Sequence, residues 1–352
     1  MGASPISIIQ QHRRVKPYVS QNKEILKDSF GRKHSYLRIS LTERCNLRCS
    51  YCMPLEGVTL LPKSHLMNAE EVFQIAKIFV NEGVDKIRLT GGEPLVRKDF
   101  PEILRKLSSL PAKLTMTTNG VTVDRHFDLL KECGMQTINL SLDTLQKERF
   151  KEITFRDQFD KVHENMFKLL ELGFKVKINV VLMKGVNDDE IIDFIEFTKN
   201  YPFVVRFIEF MPFEGNKWKR DQTVSLNEIL ERLNSFYPKN DILRIPDAPN
   251  DTAKNYKIKG YSGEFGIIST VTNPFCDSCN RIRLTANGQL KNCLFSQSES
   301  DLLTPFRNGE EILPIIQKAV GKKFAMRGGL SKPDDFNNPE MHHNRSMIRI
   351  GG

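Results

Sequence analysis

From Ser35 onward, short aliphatic and β-branched runs alternate with segments whose apolar positions recur every three or four residues. The first kind predicts strands at 36–40, 86–90, 114–118, 137–142, 175–183 and 204–210. The second predicts helices near 68–82, 99–109, 124–133, 159–172 and 188–200; in the first of these Val72, Ile75, Ala76 and Phe79 share a face and Gly83 ends it. Strand and helix in strict alternation indicate repeated βα units around a parallel sheet. Six units fit between 35 and 235, so the α/β fold expected is an incomplete (βα)6 TIM-like barrel rather than the eight-unit form. Beyond a helix near 225–236 the texture changes to shorter β-like pieces with Pro246 and Pro249, then a strand at 264–271, a hairpin turning at 286–288 and a helix near 309–320. The chain thus divides into a loosely ordered leader at 1–33, the partial barrel at 34–240 and a C-terminal region at 241–352.

Composition adds constraints. With 39% hydrophobic residues and mixed charge the chain can bury a sizeable core, which excludes global disorder. No window approaches the ~20 apolar residues of a membrane span, so no membrane partner is expected. Lys and Arg exceed Asp and Glu by 52 to 43, which favours an anionic partner, yet no run of five or six like charges suggests a nucleic-acid tail. Of seven cysteines, six fall into two groups; the seventh, Cys133, lies on a predicted helix and reads as a structural thiol.

Cys45, Cys49 and Cys52 form a C-x3-C-x2-C loop directly after the first strand. Three thiolates suit three irons of a 4Fe-4S cube and leave the fourth iron open. A zinc site completed by His65 is the alternative. Cys276, Cys279 and Cys293 have C-x2-C-x13-C spacing, which suits a second such cluster or a zinc site completed by His342 or His343. Arg281 and Arg283, alternate residues of one strand, present two guanidiniums on one face, a pattern that can fork-bind phosphate oxygens. Gly91 and Gly92, at the end of the second strand, allow close approach of a ligand to the backbone.

RISLTERCNLRCSYCMP resembles the signature of the radical S-adenosylmethionine superfamily, and KIRLTGGEPL its glycine-rich segment. Both cysteine loops, the NRIR segment after the second and the Gly-Gly end together resemble the GTP 3',8-cyclase family of molybdenum cofactor biosynthesis, over residues 28–352. The resemblance implies a barrel of the radical S-adenosylmethionine type and a lyase with two 4Fe-4S clusters. A 5'-deoxyadenosyl radical made from S-adenosylmethionine would take the ribose 3' hydrogen of GTP, and C3' would then bond to guanine C8. It further implies Tyr51, Gly92, Ser141 and Met211 as S-adenosylmethionine contacts, and Arg38, Arg88, Thr117, Lys177, Arg281 and Arg283 as GTP contacts. Arg206 would help quench the radical intermediate, with Gly351 and Gly352 entering the active site. At Phe155, in ITFRDQF, the chain departs from the basic residue common in relatives.

The partners so implied are GTP, a second copy in a homodimer, a reduced flavodoxin or ferredoxin-type electron donor and a downstream cyclic pyranopterin monophosphate synthase, with no nucleic acid. The short leader has Arg and Ser without early acidic residues, but the expected location is the cytoplasm, or the mitochondrial matrix for a eukaryotic source. The rival readings are a radical peptide-modifying enzyme, whose auxiliary region usually holds more cysteines, and a zinc-dependent nucleic-acid-binding module.

Overall fold

The computed structural model describes residues 24–54, 56–332, 335–336 and 344–351. Six strands, β1 (Tyr36–Ser40), β2 (Lys86–Thr90), β3 (Lys113–Thr118), β4 (Thr137–Ser141), β5 (Lys175–Leu182) and β6 (Val204–Glu209), pair in parallel in chain order. Helices such as Ala69–Asn81, Phe100–Ser108 and Phe159–Glu171 connect them. The first of these starts where the sequence signals it: Asn68 accepts from the Glu71 amide at 2.9 Å and the Glu71 carboxylate accepts from the Asn68 amide at 2.7 Å.

The C-terminal region adds β7 (Ile242–Ile245), β8 (Lys254–Ile258), β9 (Glu264–Ile268), β10 (Arg281–Leu284), β11 (Gln289–Lys291) and β12 (Ser300–Asp301). Of these, β9 joins β6 and β10 joins β1, both in parallel, while β7, β8, β11 and β12 extend the two edges in antiparallel fashion. The curved sheet therefore has eight parallel strands, two more than the βα repeats supply. Among the described strands β9 and β10 do not pair with each other, so the barrel stays open there, and the connection 269–280 that spans the gap carries Cys276 and Cys279.

The two faces of the sheet differ sharply. Leu37, Ile39, Ile87 and Leu89 point outward and are completely buried in the main hydrophobic core. The alternate positions, Tyr36, Arg38, Lys86, Arg88, Lys177 and Arg206, line the lumen. Strand register places Tyr36 opposite Lys86 and Arg281, Arg38 opposite Arg88 and Arg283, and Asn179 opposite Arg206. Closed barrels of this kind normally fill the lumen with branched aliphatic side chains. A polar lumen instead leaves room for a ligand.

Two features depart from the sequence reading. Residues 24–33, expected to be loose, pack: Ile25 and Leu26 are buried, Lys27 and Lys33 form a β-bridge, and Arg32 donates to the carbonyls of Cys276 (2.9 Å), Ala325 (2.8 Å) and Phe324 (2.8 Å). A tight turn has no periodicity to read, which is why the pattern missed it. A helix at Lys147–Thr154 was also not foreseen, and its terminal carbonyls hold the first cysteine loop, Thr154 accepting from the Arg48 amide and Ile153 from the Ser50 amide, each at 3.0 Å. Phe155 follows that helix in a left-handed cap with φ of 53°. No described helix is long and apolar enough to cross a membrane.

Candidate active site

A cavity of about 600 Å³ occupies the lumen. Cys45, Cys49 and Cys52 line one end, beyond the last residue of β1. Cys276 and Cys279 line the other: they immediately precede β10, which runs parallel to β1 with Arg281 opposite Tyr36. Cys293 follows antiparallel β11 and returns to that same end. At ~3.3 Å rise per residue the two loops stand on the order of 15 Å apart across the strands.

All six cysteines are free thiols. Within each loop they feel one another's charge. Burial first, then Asp143 and the neighbouring thiols, pushes Cys49 well above the usual thiol range; burial and Cys45 bring Cys52 to about 12, and burial with Glu93 brings Cys45 to about 11. At the other end Arg281 and Lys323 outweigh burial and hold Cys279 down to about 6, with the Lys323 ammonium 3.3 Å from Sγ. Among the described residues no three His, Cys, Asp or Glu side chains close on a single ion. A 4Fe-4S cube takes one thiolate per iron and requires no such convergence, so the donor chemistry of both loops fits it. His65 is exposed on the turn Lys63–His65 and does not line the cavity; His342 and His343 lie outside the described residues.

At the first-loop end, the Tyr51 hydroxyl donates to Asp143 at 2.8 Å, and Asp143 accepts from the Val181 amide at 2.9 Å while burial raises its carboxyl to about 6. Gly92 and Glu93 continue β2 as a short ladder against the chain before Cys45: the Gly92 amide donates to Thr42 at 2.7 Å and the Glu93 amide to Arg44 at 2.8 Å. The buried Glu93 carboxylate accepts from the Asn119 amide at 2.7 Å and the Thr118 hydroxyl at 2.9 Å, tying β2 to β3. Ser141 and Met211, at the ends of β4 and β6, line the same end of the cavity.

Between the ends stand Arg38, Arg88, Lys177, Arg206, Arg281 and Arg283, with Thr117 3.5 Å from Arg88. Among the described residues none of these cations forms an ion pair. Nε of Arg38, Arg88 and Arg206 is buried without a partner. Arg206 donates to Asn179 at 2.5 Å, and the Asn139 amide oxygen, correctly oriented, faces both Arg88 and Arg206. Burial and mutual repulsion lower Arg206 to about 9, Arg283 to about 10 and Lys177 to about 8. Buried cations without counter-charge are strongly unfavourable. The arrangement is complete only when an anion enters.

Lys177 is the cation nearest its titration point. Its ammonium is pushed down first by burial, then by Arg206, Lys175, Arg88 and Lys86. A lowered lysine pKa means that the charge is fully present below about 8 and is lost as pH rises through it. Affinity of the free protein for an anionic ligand should therefore fall as pH passes about 8, and Lys177→Arg should move that fall to higher pH; an anaerobic titration of binding against pH measures it.

The C-terminal helix Met347–Ile350 buries Ile348 and Ile350 and delivers Gly351 into the lumen, where its carbonyl accepts from Arg283 at 2.9 Å. Gly352 lies outside the described residues. Cys133 caps the helix Phe127–Glu132 and packs against the main core, outside the cavity.

Residues 39–198 match the model of the radical SAM superfamily, and residues 203–327 match that of the Molybdenum Cofactor Synthesis C family. The GTP 3',8-cyclase of Listeria monocytogenes is 41% identical over 340 residues, covering 94% of this chain and 100% of the relative. The chain belongs to the GTP 3',8-cyclase family. The family's mitochondrial member from Arabidopsis thaliana is 48% identical over 94% of this chain and 84% of its own length. Molybdenum cofactor biosynthesis protein 1 of Mus musculus is also 48% identical, but only 51% of it is matched, so the chain spans about half the length of that relative. The fold is shared more widely: Streptococcus suis SuiB, solved bound to S-adenosylmethionine, superposes with a TM-score of 0.60 at 17% identity over 90% of this chain and 77% of its own.

Every cyclase site residue foreseen from sequence lines the one cavity, apart from Gly351, which touches its wall, and Gly352. Sequence reading missed Lys86, Tyr36, Asp143, Asn179 and Lys323. Strand alternation alone would have found Lys86 and Tyr36, two residues before Arg88 and Arg38 on the same faces. Lys323 has no such signal, because only the tertiary fold brings it to Cys279.

Proposed function

We propose that the chain is a GTP 3',8-cyclase, a lyase converting GTP to (8S)-3',8-cyclo-7,8-dihydroguanosine 5'-triphosphate. The observation that carries this reading is a set of unpaired buried cations between two three-thiol loops at opposite ends of one lumen. Cys45, Cys49 and Cys52 would hold a 4Fe-4S cluster with S-adenosylmethionine against Tyr51, Gly92, Ser141 and Met211, and Cys276, Cys279 and Cys293 would hold a second. Bound there, the first cluster supplies the electron that cleaves S-adenosylmethionine and so provides the radical that removes the ribose 3' hydrogen.

The chain's own contribution is positioning. Arg38, Arg88, Lys177, Arg281 and Arg283 neutralise the triphosphate, Thr117 adds a hydroxyl, and the second loop fixes the guanine. Holding C8 against C3' keeps this intramolecular ring closure in a reactive orientation, while the cofactor supplies the hard chemistry. Arg206, held by Asn179 and Asn139, would supply the proton or charge needed as the cyclised radical is reduced. The carbonyl of Gly351 accepts from Arg283, and the tail that ends in Gly351 and Gly352 would be needed for turnover.

By this reading residues 34–240 form the S-adenosylmethionine barrel and 241–352 the region of the second cluster and GTP. The working protein would be a homodimer fed by a flavodoxin or ferredoxin-type donor and would pass its product to a cyclic pyranopterin monophosphate synthase. It would act in the cytoplasm, or in the mitochondrial matrix in a eukaryotic source.

The test is anaerobic reconstitution with iron and sulfide followed by S-adenosylmethionine, reductant and GTP. About eight irons per chain and GTP-dependent release of 5'-deoxyadenosine are expected; equal release with and without GTP would sink the assignment. Cys276→Ser should retain about four irons per chain, and retention of all eight would remove the second cluster from these cysteines.

A further inference from the structure

The hydroxyl of Tyr36 is buried in the lumen wall without a hydrogen-bond partner. A buried hydroxyl left unpaired is unfavourable, so an orphan at a binding cavity is informative. Two cations of β2 lie over its ring, with the Lys86 ammonium 4.5 Å from the ring centroid and the Arg88 guanidinium at 5.6 Å. On the strands, Tyr36 stands opposite Lys86 and Arg281, while Arg38 follows it two residues on along the same face. The Tyr36 backbone amide is already used by Asn280 at 3.1 Å, so the strand cannot shift to find the side chain another partner.

The surroundings name the missing partner. Burial pushes the phenol up, but Arg88, Arg38, Lys86 and Arg206 together outweigh it and hold it below the ordinary tyrosine value. The groups that press on the phenol are cations, which donate and do not accept, so an acceptor that reaches this hydroxyl from a ligand would be one that those cations also attract, an anionic oxygen. Lys86 and Arg88 would clasp the same group.

We propose that Tyr36 is a substrate-positioning residue whose hydroxyl donates a hydrogen bond to a phosphate oxygen of GTP, beside Lys86 and Arg88. The inference rests on the assignment of GTP to this lumen and adds a neutral donor to a set otherwise made of cations and Thr117. A neutral donor adds direction where the cations add charge: it selects one phosphate orientation without deepening the mutual repulsion of the cations.

The experiment compares wild type and Tyr36→Phe, which keeps the ring beside Lys86 and Arg88 and removes only the hydroxyl. Dissociation constants for GTP and for guanosine are measured anaerobically on reconstituted protein, with iron content as the check on folding. The result expected is about tenfold weaker GTP binding, the weight of one hydrogen bond to a charged acceptor, with guanosine binding and iron content unchanged and KM rising far more than kcat falls. Unchanged GTP affinity overturns the proposal. So does equal weakening of GTP and guanosine, which would place the hydroxyl on the nucleoside or make its role structural. Wild-type protein that binds guanosine as tightly as GTP refutes the triphosphate reading itself, a result read before the variant is considered.

Discussion

Gly351→Ala is expected to lower cyclisation at least ~100-fold while iron content stays at that of the wild type. A Cβ at this position would stand 2.7 Å from the Thr90 hydroxyl oxygen and 2.8 Å from Cβ of Ser40, the last residues of β2 and β1. The backbone there has φ of +86°, a region that costs an alanine on the order of 1 kcal/mol before any contact is counted. Ile348 and Ile350 anchor the preceding helix, so the segment cannot slide to relieve the clash. The Gly351 carbonyl that accepts from Arg283 must then leave the lumen, and the guanidinium proposed to contact the substrate loses that anchor. A small misplacement of a reacting group can cost two orders of magnitude in rate. Product and 5'-deoxyadenosine are both quantified, because a misplaced substrate uncouples them; wild-type turnover in the variant would show that the tail has no part in the reaction.

What the chain discloses in one dimension follows the range of the interaction that shapes it. The six βα units were legible because β1–β6 each pair an aliphatic outward face with a helix of matching period, as in Leu37 and Ile39 against Val72, Ile75 and Phe79. Both cysteine loops were legible because spacing is local. By contrast β9 and β10 join the parallel sheet with no helix of their own, and Glu264–Ile268 or Arg281–Leu284 carry no sign of their pairing with β6 and β1. The eight-residue helix Lys147–Thr154 buries only Phe150, Ile153 and Thr154, too weak a stripe to read, although it anchors Arg48 and Ser50 beside the first thiols. Arg32 grips the carbonyl of Cys276 across 244 positions of sequence, and no local pattern encodes that.

The two ends of the lumen also differ in a way that residue types alone conceal. Cys49 and Cys52 sit among Asp143 and other thiols, and burial holds them protonated until a metal displaces the proton. Cys279 faces Lys323 and Arg281 and is already biased toward the thiolate. Burial still raises its neighbour Cys276, so the contrast lies at Cys279, and under the proposed assignment it would set the substrate-holding loop apart from the one whose cluster is reduced.

Gly92→Ala is expected to strip the first loop of its metal and with it all cleavage of S-adenosylmethionine. The reason is backbone on backbone: a Cβ on Gly92 would fall 2.4 Å from the carbonyl oxygen of Arg44 and 2.7 Å from its carbonyl carbon. Arg44 immediately precedes Cys45, and its carbonyl already accepts from the Glu93 amide at 2.8 Å, so the added methyl breaks that bond and drives the loop off the end of β2. No side-chain rotation relieves such a contact, and strain of this kind costs about 1–3 kcal/mol or more. Iron should fall from about eight to about four per chain, with 5'-deoxyadenosine down at least ~100-fold. Gly83→Ala supplies the control: its φ of +109° imposes conformational strain but its Cβ meets nothing within 4 Å, so that variant should keep its full iron complement. Equal iron in the two variants would show that the Gly92 contact with Arg44 does not hold the first loop in place, and the ladder between the glycine segment and Thr42–Arg44 would lose its assigned role.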